Sequence, residues 1–106
     1  MAKTTWRVTY NKCVAKQIGK LNPDVRDAVF ETVQALQRSE NPCKCQGVKE
    51  LYIDYPGCHR IPVKRKWRVI FQLLTGEEVT VKLQEGQKGV LHLQQVILRG
   101  QGYKRK

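Results

Sequence analysis

The sequence predicts an α+β domain with an N-terminal strand, two helices and then a mostly antiparallel, twisted sheet. Three observations support this fold class. Apolar and polar residues alternate near the N-terminus, apolar residues then recur at helical spacing over two consecutive stretches, and alternation returns in the C-terminal half. A chain of 106 residues, of which 41% are hydrophobic, is long enough to form a single domain, residues 1–106, around its own core.

The first strand is predicted at residues 5–10, where every second side chain is apolar. Its inward-facing side chains are Trp6, Val8 and Tyr10. Asn11 can cap a helix that follows at once, and apolar residues at helical spacing extend this helix to Leu21. Beside the apolar stripe runs a basic ridge with one lysine per turn, made of Lys12, Lys16 and Lys20. The simplest interpretation of this ridge is a solvated helix face.

The second helix has a sharper start signal. Asn22 is a suitable N-cap, Pro23 fits the first helical position, and Asp24 places a negative charge in the first turn. The wide apolar stripe of this helix consists of Val25, Val29, Val33 and Leu36, flanked by Ala28 and Phe30. We expect the helix to reach about Ser39, and residues 43–57 to form a loop that ends in a turn.

Residues 58–71, with the sequence C-H-R-I-P-V-K-R-K-W-R-V-I-F, predict two antiparallel strands joined by a turn at Arg65-Lys66. The inward-facing side chains are His59, Ile61, Val63, Trp67, Val69, Phe71 and Leu73. The cations Arg60, Lys64 and Arg68 should then lie together on the opposite, exposed face, where no acidic side chain neutralises them. On this prediction Arg68 takes no part in core packing, and the hairpin is suited to binding phosphate.

The rest of the sheet is predicted to be less regular. Pro62 cannot donate a hydrogen bond to a sheet ladder, so it should face an edge or a bulge. Residues 79–83 alternate and predict a further strand. Residues 90–98 predict a longer last strand, in which the alternation breaks at Gln94-Gln95 and so indicates a β-bulge.

The charge is strongly positive, since twenty Lys and Arg residues against nine Asp and Glu give a net charge of +11. The excess lies in three blocks that contain no acidic residue, at 1–22, 58–71 and 99–106. Such a distribution favours a polyanionic partner, either nucleic acid or an acidic protein. No apolar run has the length of a signal peptide or a membrane span, so we expect a cytoplasmic protein that does not associate with membranes.

The four cysteines are expected to be reduced thiols, because the chain shows no export signal. Cys43, Cys45, Cys58 and His59 are potential zinc ligands. However, the C-x-C spacing is tighter than that of ordinary zinc sites and no second pair matches it. We therefore predict no metal site and no cofactor.

Several of these segments together resemble the RelE/ParE family of bacterial toxins. The resemblance rests on the order of strand, two helices and further strands, on K-E-L before the hairpin, on H-R-I followed by W-R-V-I-F, and on a terminal V-I-L-R-x-x-x-Y. It covers about residues 5–103. For RelE-like members it implies a ribosome-dependent endonuclease that cuts mRNA and is neutralised by an antitoxin. ParE-like members instead inhibit DNA gyrase and lack the cleavage residues.

Carried over by position, the resemblance implies roles for several residues of this chain. The expected catalytic residues are Arg60, Arg68, Arg99 and Tyr103, to which the chemistry of the hairpin adds Lys64. Tyr103 would stack on a base, and the arginines would stabilise negative charge. The expected RNA-binding residues are Lys49, Arg65, Lys66, Lys104 and Arg105. Pro62 departs from the pattern, because it stands where a second lysine can occur, and little chain follows Tyr103.

RNA cleavage without a metal needs a base for the 2′-hydroxyl, cations for the phosphate and an acid for the leaving oxygen. Lys64 is a candidate base because neighbouring cations favour the neutral amine. Glu50 and His59 are alternative bases, and His92 is a candidate acid. Structural roles remain open for two of the candidates, since His59 can be a hydrogen-bonded core residue and Tyr103 can pack the terminal segment.

The leading hypothesis is a toxin that cleaves mRNA on the ribosome and binds an acidic antitoxin over its basic face. The first alternative is a non-enzymatic inhibitor of DNA gyrase. The second is an inactive relative whose cationic face only binds RNA or a protein partner.

Overall fold

The computed structural model describes residues 5–51 and 57–98. The elements in chain order are β1 (Trp6–Tyr10), α1 (Lys12–Gly19), α2 (Pro23–Arg38), a 3₁₀ turn (Pro42–Lys44), β2 (Lys49–Glu50), β3 (His59–Val63), β4 (Trp67–Leu74), a second 3₁₀ turn (Gly76–Glu78) and β5 (Gly89–Leu98). The strands form one sheet in the order β1-β5-β4-β3-β2. Strand β1 runs parallel to β5, and the other neighbouring strands are antiparallel. The predicted α+β class and the mostly antiparallel sheet are therefore confirmed.

Both helices begin where the sequence predicts. The side chain of Asn11 accepts a hydrogen bond from the Val14 N–H at 2.9 Å and so caps α1. Helix α2 begins at Pro23 with Asp24 in its first turn, although the Asn22 side chain makes no capping hydrogen bond. Within the described parts of the chain, no helix has the length and apolar character needed to cross a membrane.

The main core lies between one face of the sheet and the helices. Its buried members are Trp6, Val14, Leu21, Val29, Val33, Leu36, Val63, Val69, Phe71, Leu91, Leu93 and Val96. The predicted inward faces of β3, β4 and α2 supply half of this set. Tyr10 is an exception, because it was expected to face inward and is 58% exposed. It is the last residue of β1, and the chain leaves the sheet for α1 immediately after it.

The predicted strand at residues 79–83 is wrong. The chain instead forms the 3₁₀ turn Gly76–Glu78, in which the Glu78 carboxylate accepts from the Thr75 N–H at 3.2 Å. The segment that follows is irregular, and Arg7 donates from Nη1 to the Lys82 carbonyl at 2.6 Å. The remaining strand of the sheet is β2, which lies within the stretch 43–57 that was expected to be a loop.

The predicted bulge in β5 is confirmed, since the pairing with β4 shifts between Ile70, which faces Gln95, and Phe71, which faces Leu93. Beyond Leu93, β5 has no pairing with β1, and α1 packs along this edge. Gln17 of α1 accepts from the Val96 N–H at 2.7 Å and donates to Gln95 Oε1 at 2.6 Å. A helix side chain thus takes the place of a neighbouring strand at this edge.

Candidate nucleic-acid interface

The β3–β4 hairpin ends in a three-residue loop of cations, Lys64, Arg65 and Lys66, all of them exposed. Lys64 and Arg65 have positive φ values of 49° and 65°. The Lys66 N–H donates to the Lys64 carbonyl at 2.6 Å, which closes a γ-turn around Arg65. The prediction that Lys64 lies on β3 beside Arg60 is therefore wrong, because β3 ends at Val63 and Lys64 already belongs to the loop.

Arg68 is buried, with only 8% of its surface exposed, so the prediction that it lies on an open face is also wrong. Its Nη1 donates to the carbonyls of Arg65 and Trp67, each at 3.0 Å. Hydrogen bonds of this kind are what make the burial of a guanidinium tolerable. Arg68 therefore links β4 to the backbone of the cationic loop.

The reason for this burial is a second apolar cluster on the sheet face opposite the main core. It consists of Cys58, Ile70 and Ile97, with Leu51 packed against it. Arg68 is paired in register with Ile97, which places the arginine beside this cluster rather than in solvent. Strand β4 is consequently covered on both faces at this point.

Arg60 and Lys49 do lie together. They are direct partners in the antiparallel pairing of β2 with β3, so their side chains leave the same face of the sheet. Arg60 is half-buried and Lys49 is exposed. Pro62 follows on β3 beyond the end of β2, and its missing donor therefore faces a position with no β2 partner, as predicted.

The two alternative bases lie on the other face. His59 stacks on Phe71 with ring centroids 5.9 Å apart, and its Nδ1 lies 3.5 Å from Cys43 Sγ. Glu50 is the register partner of His59 and therefore shares its face. This arrangement favours the structural role of His59 and separates both side chains from Arg60 by the thickness of the sheet.

The candidate acid His92 is also remote from the cations. Its Nδ1 lies 2.7 Å from Thr9 Oγ1, and it borders a cavity of about 260 Å³ between β1, β5 and the segment after β4. His92 is paired with Gln72 on β4, and β4 separates it from Arg60 on β3. Two strand spacings place the backbones of His92 and Arg60 roughly 10 Å apart.

The cysteines are all free thiols, and they do not converge on one point. Cys43 and Cys45 pack against the main core, whereas Cys58 belongs to the cluster on the opposite face. Burial raises the pKa of the Cys58 thiol, and burial, followed by the charges of Glu50 and Cys45, raises the pKa of Cys43. Over residues 5–51 and 57–98, no group of three or more His, Cys, Asp or Glu side chains is arranged to hold a metal ion.

Arg99, Tyr103, Lys104 and Arg105 lie outside the described residues, so the roles expected for them stay predictions. The described candidate interface therefore consists of Lys49 and Arg60 on the sheet together with the loop from Lys64 to Lys66. Arg68 supports that loop from inside.

Comparison with solved structures finds a similar fold in a chain of the toxin–antitoxin complex RelBE2 from Mycobacterium tuberculosis. The two chains superpose with a TM-score of 0.62 and 17% sequence identity, and the match covers 90% of this chain and 99% of the other. The chain has a RelE-like fold. No protein-family model matches the sequence, and no curated protein matches it.

Two parts of the candidate site were missed from sequence spacing. The positive φ of Lys64 and Arg65 carries no glycine or asparagine signal, although both are usual at such positions. The burial of Arg68 had a weak signal in Cys58 and Ile70, two apolar residues on a face that was otherwise taken to be cationic.

Proposed function

We propose that this chain is the toxin of a toxin–antitoxin pair and that it inhibits translation by cutting mRNA on the ribosome. The observation that carries the proposal is a cluster of cations at one hairpin of a RelE-like fold. Lys49 and Arg60 share a sheet face, and the adjoining loop from Lys64 to Lys66 is exposed. The similarity to a chain from a toxin–antitoxin complex supports the proposal.

In this proposal a 2′-hydroxyl loses its proton to the base and attacks the adjacent phosphorus, which forms a 2′,3′-cyclic phosphate and breaks the bond to the 5′-oxygen of the next nucleotide. The leaving oxygen takes up a proton from solvent, and no metal or other cofactor takes part. Arg60 neutralises charge on the phosphate as it develops, because its guanidinium is always protonated and can donate two parallel hydrogen bonds. Lys64 is the proposed base, and Arg99 and Tyr103 are proposed to complete the site by binding charge and stacking on a base. Lys49, Arg65, Lys66, Lys104 and Arg105 hold the RNA backbone.

Arg68 takes a different role from the one suggested by the family resemblance. Its Nη1 is bonded to two backbone carbonyls at the loop, so we assign it to positioning the loop rather than to contact with the reacting phosphate. This assignment also explains why an arginine is tolerated at a buried position.

The proposed partners are an acidic antitoxin, the ribosome and mRNA. A net charge of +11 makes an acidic protein a suitable partner for the toxin when it is not on the ribosome. Action in the cytoplasm follows from these partners.

The test is primer extension on cellular mRNA after brief induction of the chain. New 5′ ends should appear within translated regions in the wild type and should be lost in Arg60→Gln. Lys82→Gln is a suitable control, because Lys82 is exposed and lies between β4 and β5, away from the hairpin. Unchanged cleavage by a folded Arg60→Gln protein would show that the catalytic role assigned to Arg60 is wrong.

Two observations favour inhibition of DNA gyrase as a second candidate function. Pro62 offers no charge on β3, and the Arg68 guanidinium is bonded to the loop, so the described site is poor in free catalytic groups. A plasmid supercoiling assay run beside the primer extension distinguishes the two functions. Relaxed plasmid without mRNA cleavage would favour inhibition of DNA gyrase. If neither effect is seen, the remaining interpretation is an inactive relative that only binds RNA or a protein partner.

A further inference from the structure

Helix α1 presents its lysine ridge to solvent. Lys12, Lys16 and Lys20 are all exposed, and the helix contains no acidic residue. None of the three ammonium groups has a hydrogen bond or ion pair with any other part of the described chain. With a rise of about 1.5 Å per residue, the ridge is roughly 12 Å long and places a positive charge about every 6 Å.

The position of α1 brings this ridge to the cationic loop. Asn11, just before α1, donates to the Gln94 carbonyl at 3.5 Å, and Gln17 accepts from the Val96 N–H. The helix therefore runs alongside β5 in the same direction. Lys20 lies at its far end and borders a groove of about 220 Å³ together with Trp67 and Leu98.

Trp67 directly follows the loop, and it is paired with Leu98 at the end of β5. The groove beside Lys20 thus adjoins the hairpin end that carries Lys64, Arg65 and Lys66. The far end of the ridge and the loop therefore lie at the same end of the sheet. We call the three lysines of the ridge and the three cations of the loop together the cationic track, and its two parts lie more than forty residues apart in the sequence.

We infer that this track binds the sugar–phosphate backbone of a single RNA strand, with α1 holding the part of the strand that extends beyond the hairpin. Evenly spaced lysines along a straight helix match a linear array of evenly spaced phosphates. The inference rests on the proposed function for the identity of the partner, but it adds a binding surface on a different element.

The composition of the ridge favours RNA over a protein partner. Protein interfaces are depleted of lysine and rely on aromatic and apolar anchors in their centres. The exposed residues between the lysines are instead small, namely Cys13, Ala15 and Gly19. Phosphate contacts need only charge and access, and this surface offers both.

The experiment measures binding of a short single-stranded RNA whose riboses carry 2′-O-methyl groups, so that the RNA cannot be cut. The ridge variant is Lys12→Gln, Lys16→Gln and Lys20→Gln combined. The control is Arg38→Gln, Lys82→Gln and Lys88→Gln combined, which removes the same charge. These three exposed residues lie at the opposite end of the sheet, where Ser39 accepts from Trp6, Arg7 contacts Lys82 and Lys88 bonds to Thr5.

Log affinity falls as log salt rises, and each phosphate contact on a single strand adds about 0.7 to the steepness of this fall. We expect the ridge variant to make the slope less steep by about 2. The affinity loss should be about tenfold or more at the low-salt end of the range. The control variant should keep the wild-type slope. Replacing the same three lysines by arginine should also keep it, and Lys16→Gln alone should lower it by about 0.7.

An unchanged slope in the ridge variant would overturn the inference, and so would an equal drop in the control variant, which would show that only net charge matters. The inference would also be overturned if the ridge variant kept the wild-type salt dependence of RNA binding but no longer co-purified with an acidic protein. The ridge would then be a contact with that protein. Because the probe cannot be cleaved, a wild type that binds through the ridge but does not cut mRNA would contradict only the proposed function.

Discussion

Arg68 Nη1 donates to the carbonyl of Arg65 at 3.0 Å, so a buried arginine holds the backbone of an exposed one. The same nitrogen also bonds to the Trp67 carbonyl at 3.0 Å. The loop between these residues has a positive φ at Lys64 and at Arg65 and no glycine to relieve it. The guanidinium thus stabilises a backbone conformation that the loop residues themselves disfavour.

We expect Arg68→Ala to destabilise the protein by about 2 to 4 kcal/mol. The substitution leaves the two part-buried carbonyls of Arg65 and Trp67 without this donor and opens space beside the second apolar cluster. Arg68→Lys should recover only part of the loss, because an ammonium lacks the fork geometry of the guanidinium. Unfolding in urea, followed by circular dichroism, measures the difference.

The control for this prediction is Arg65→Ala, which removes an exposed side chain but keeps the carbonyl that accepts from Arg68. Its stability should hardly change. If Arg68→Ala were as stable as Arg65→Ala, the supporting role of Arg68 would be wrong.

Gln17 provides a second prediction, at the edge of β5. Gln17→Leu keeps the size of the side chain but removes the acceptor of the Val96 N–H, a loss of about 1 to 3 kcal/mol. Gln17→Glu retains an acceptor and should cost less. The matched control is Gln34→Leu, at an exposed position of α2, where the free energy of unfolding should change little.

A Gln17→Leu protein that unfolds at the wild-type urea concentration would show that water replaces the helix side chain at this edge. Faster amide exchange of Val96 in the same variant would support the direct bond between Gln17 and the strand.

Sequence periodicity was sufficient for the elements that bury one face against the common core. β1, α1, α2, β3, β4 and β5 all appear near their predicted positions because each is amphipathic with a clear period. Residues 79–83 also alternate, but local turn chemistry at Thr75 and Glu78 takes the chain out of the sheet. Period alone does not show whether a neighbouring strand is available for pairing.

The candidate site was harder to predict than the fold, for a related reason. Alternation assigns Arg68 to the face opposite the core, and this is correct, but it does not reveal that Cys58, Ile70 and Ile97 cover that face. Lys64 was assigned to a strand because no residue in K-R-K is of a type that indicates positive φ values. By contrast, the partnership of Lys49 with Arg60 depends on a strand of two residues, which is too short to leave a periodic signal.

The thiols should differ in reactivity, because the thiolate is the nucleophile. Cys13 is exposed, whereas burial raises the pKa of Cys58 and of Cys43. Iodoacetamide at pH 8 should therefore label Cys13 first and Cys58 last, as read by peptide mass spectrometry. Early labelling of Cys58 in the folded protein would contradict its burial in the second apolar cluster, with Ile70 and Ile97.

The same pKa shifts have a consequence for stability. A thiol whose pKa is raised by folding keeps its proton longer in the native state than in the unfolded chain. The stabilisation linked to that proton is fully present below the unfolded-state pKa and declines as the pH rises through and beyond it. The free energy of unfolding should thus fall at alkaline pH, and the fall should be smaller in Cys58→Ala than in the wild type.

The last prediction separates the shape of the loop from its charge. Lys64→Gly should be neutral or stabilising by up to about 1 kcal/mol, because glycine adopts the positive φ of 49° without strain, which offsets its greater freedom in the unfolded chain. If Lys64 is the base of the proposed reaction, mRNA cleavage should nevertheless fall by roughly 10²-fold or more. Lys64→Asn, which also tolerates this conformation but has no titratable amine, should behave in the same way. Lys64→Arg keeps the positive charge but cannot act as a base at neutral pH, so it should bind uncleavable RNA like the wild type and still fail to cut. Full cleavage by Lys64→Arg would show that position 64 supplies only charge, and the base would then have to be sought elsewhere.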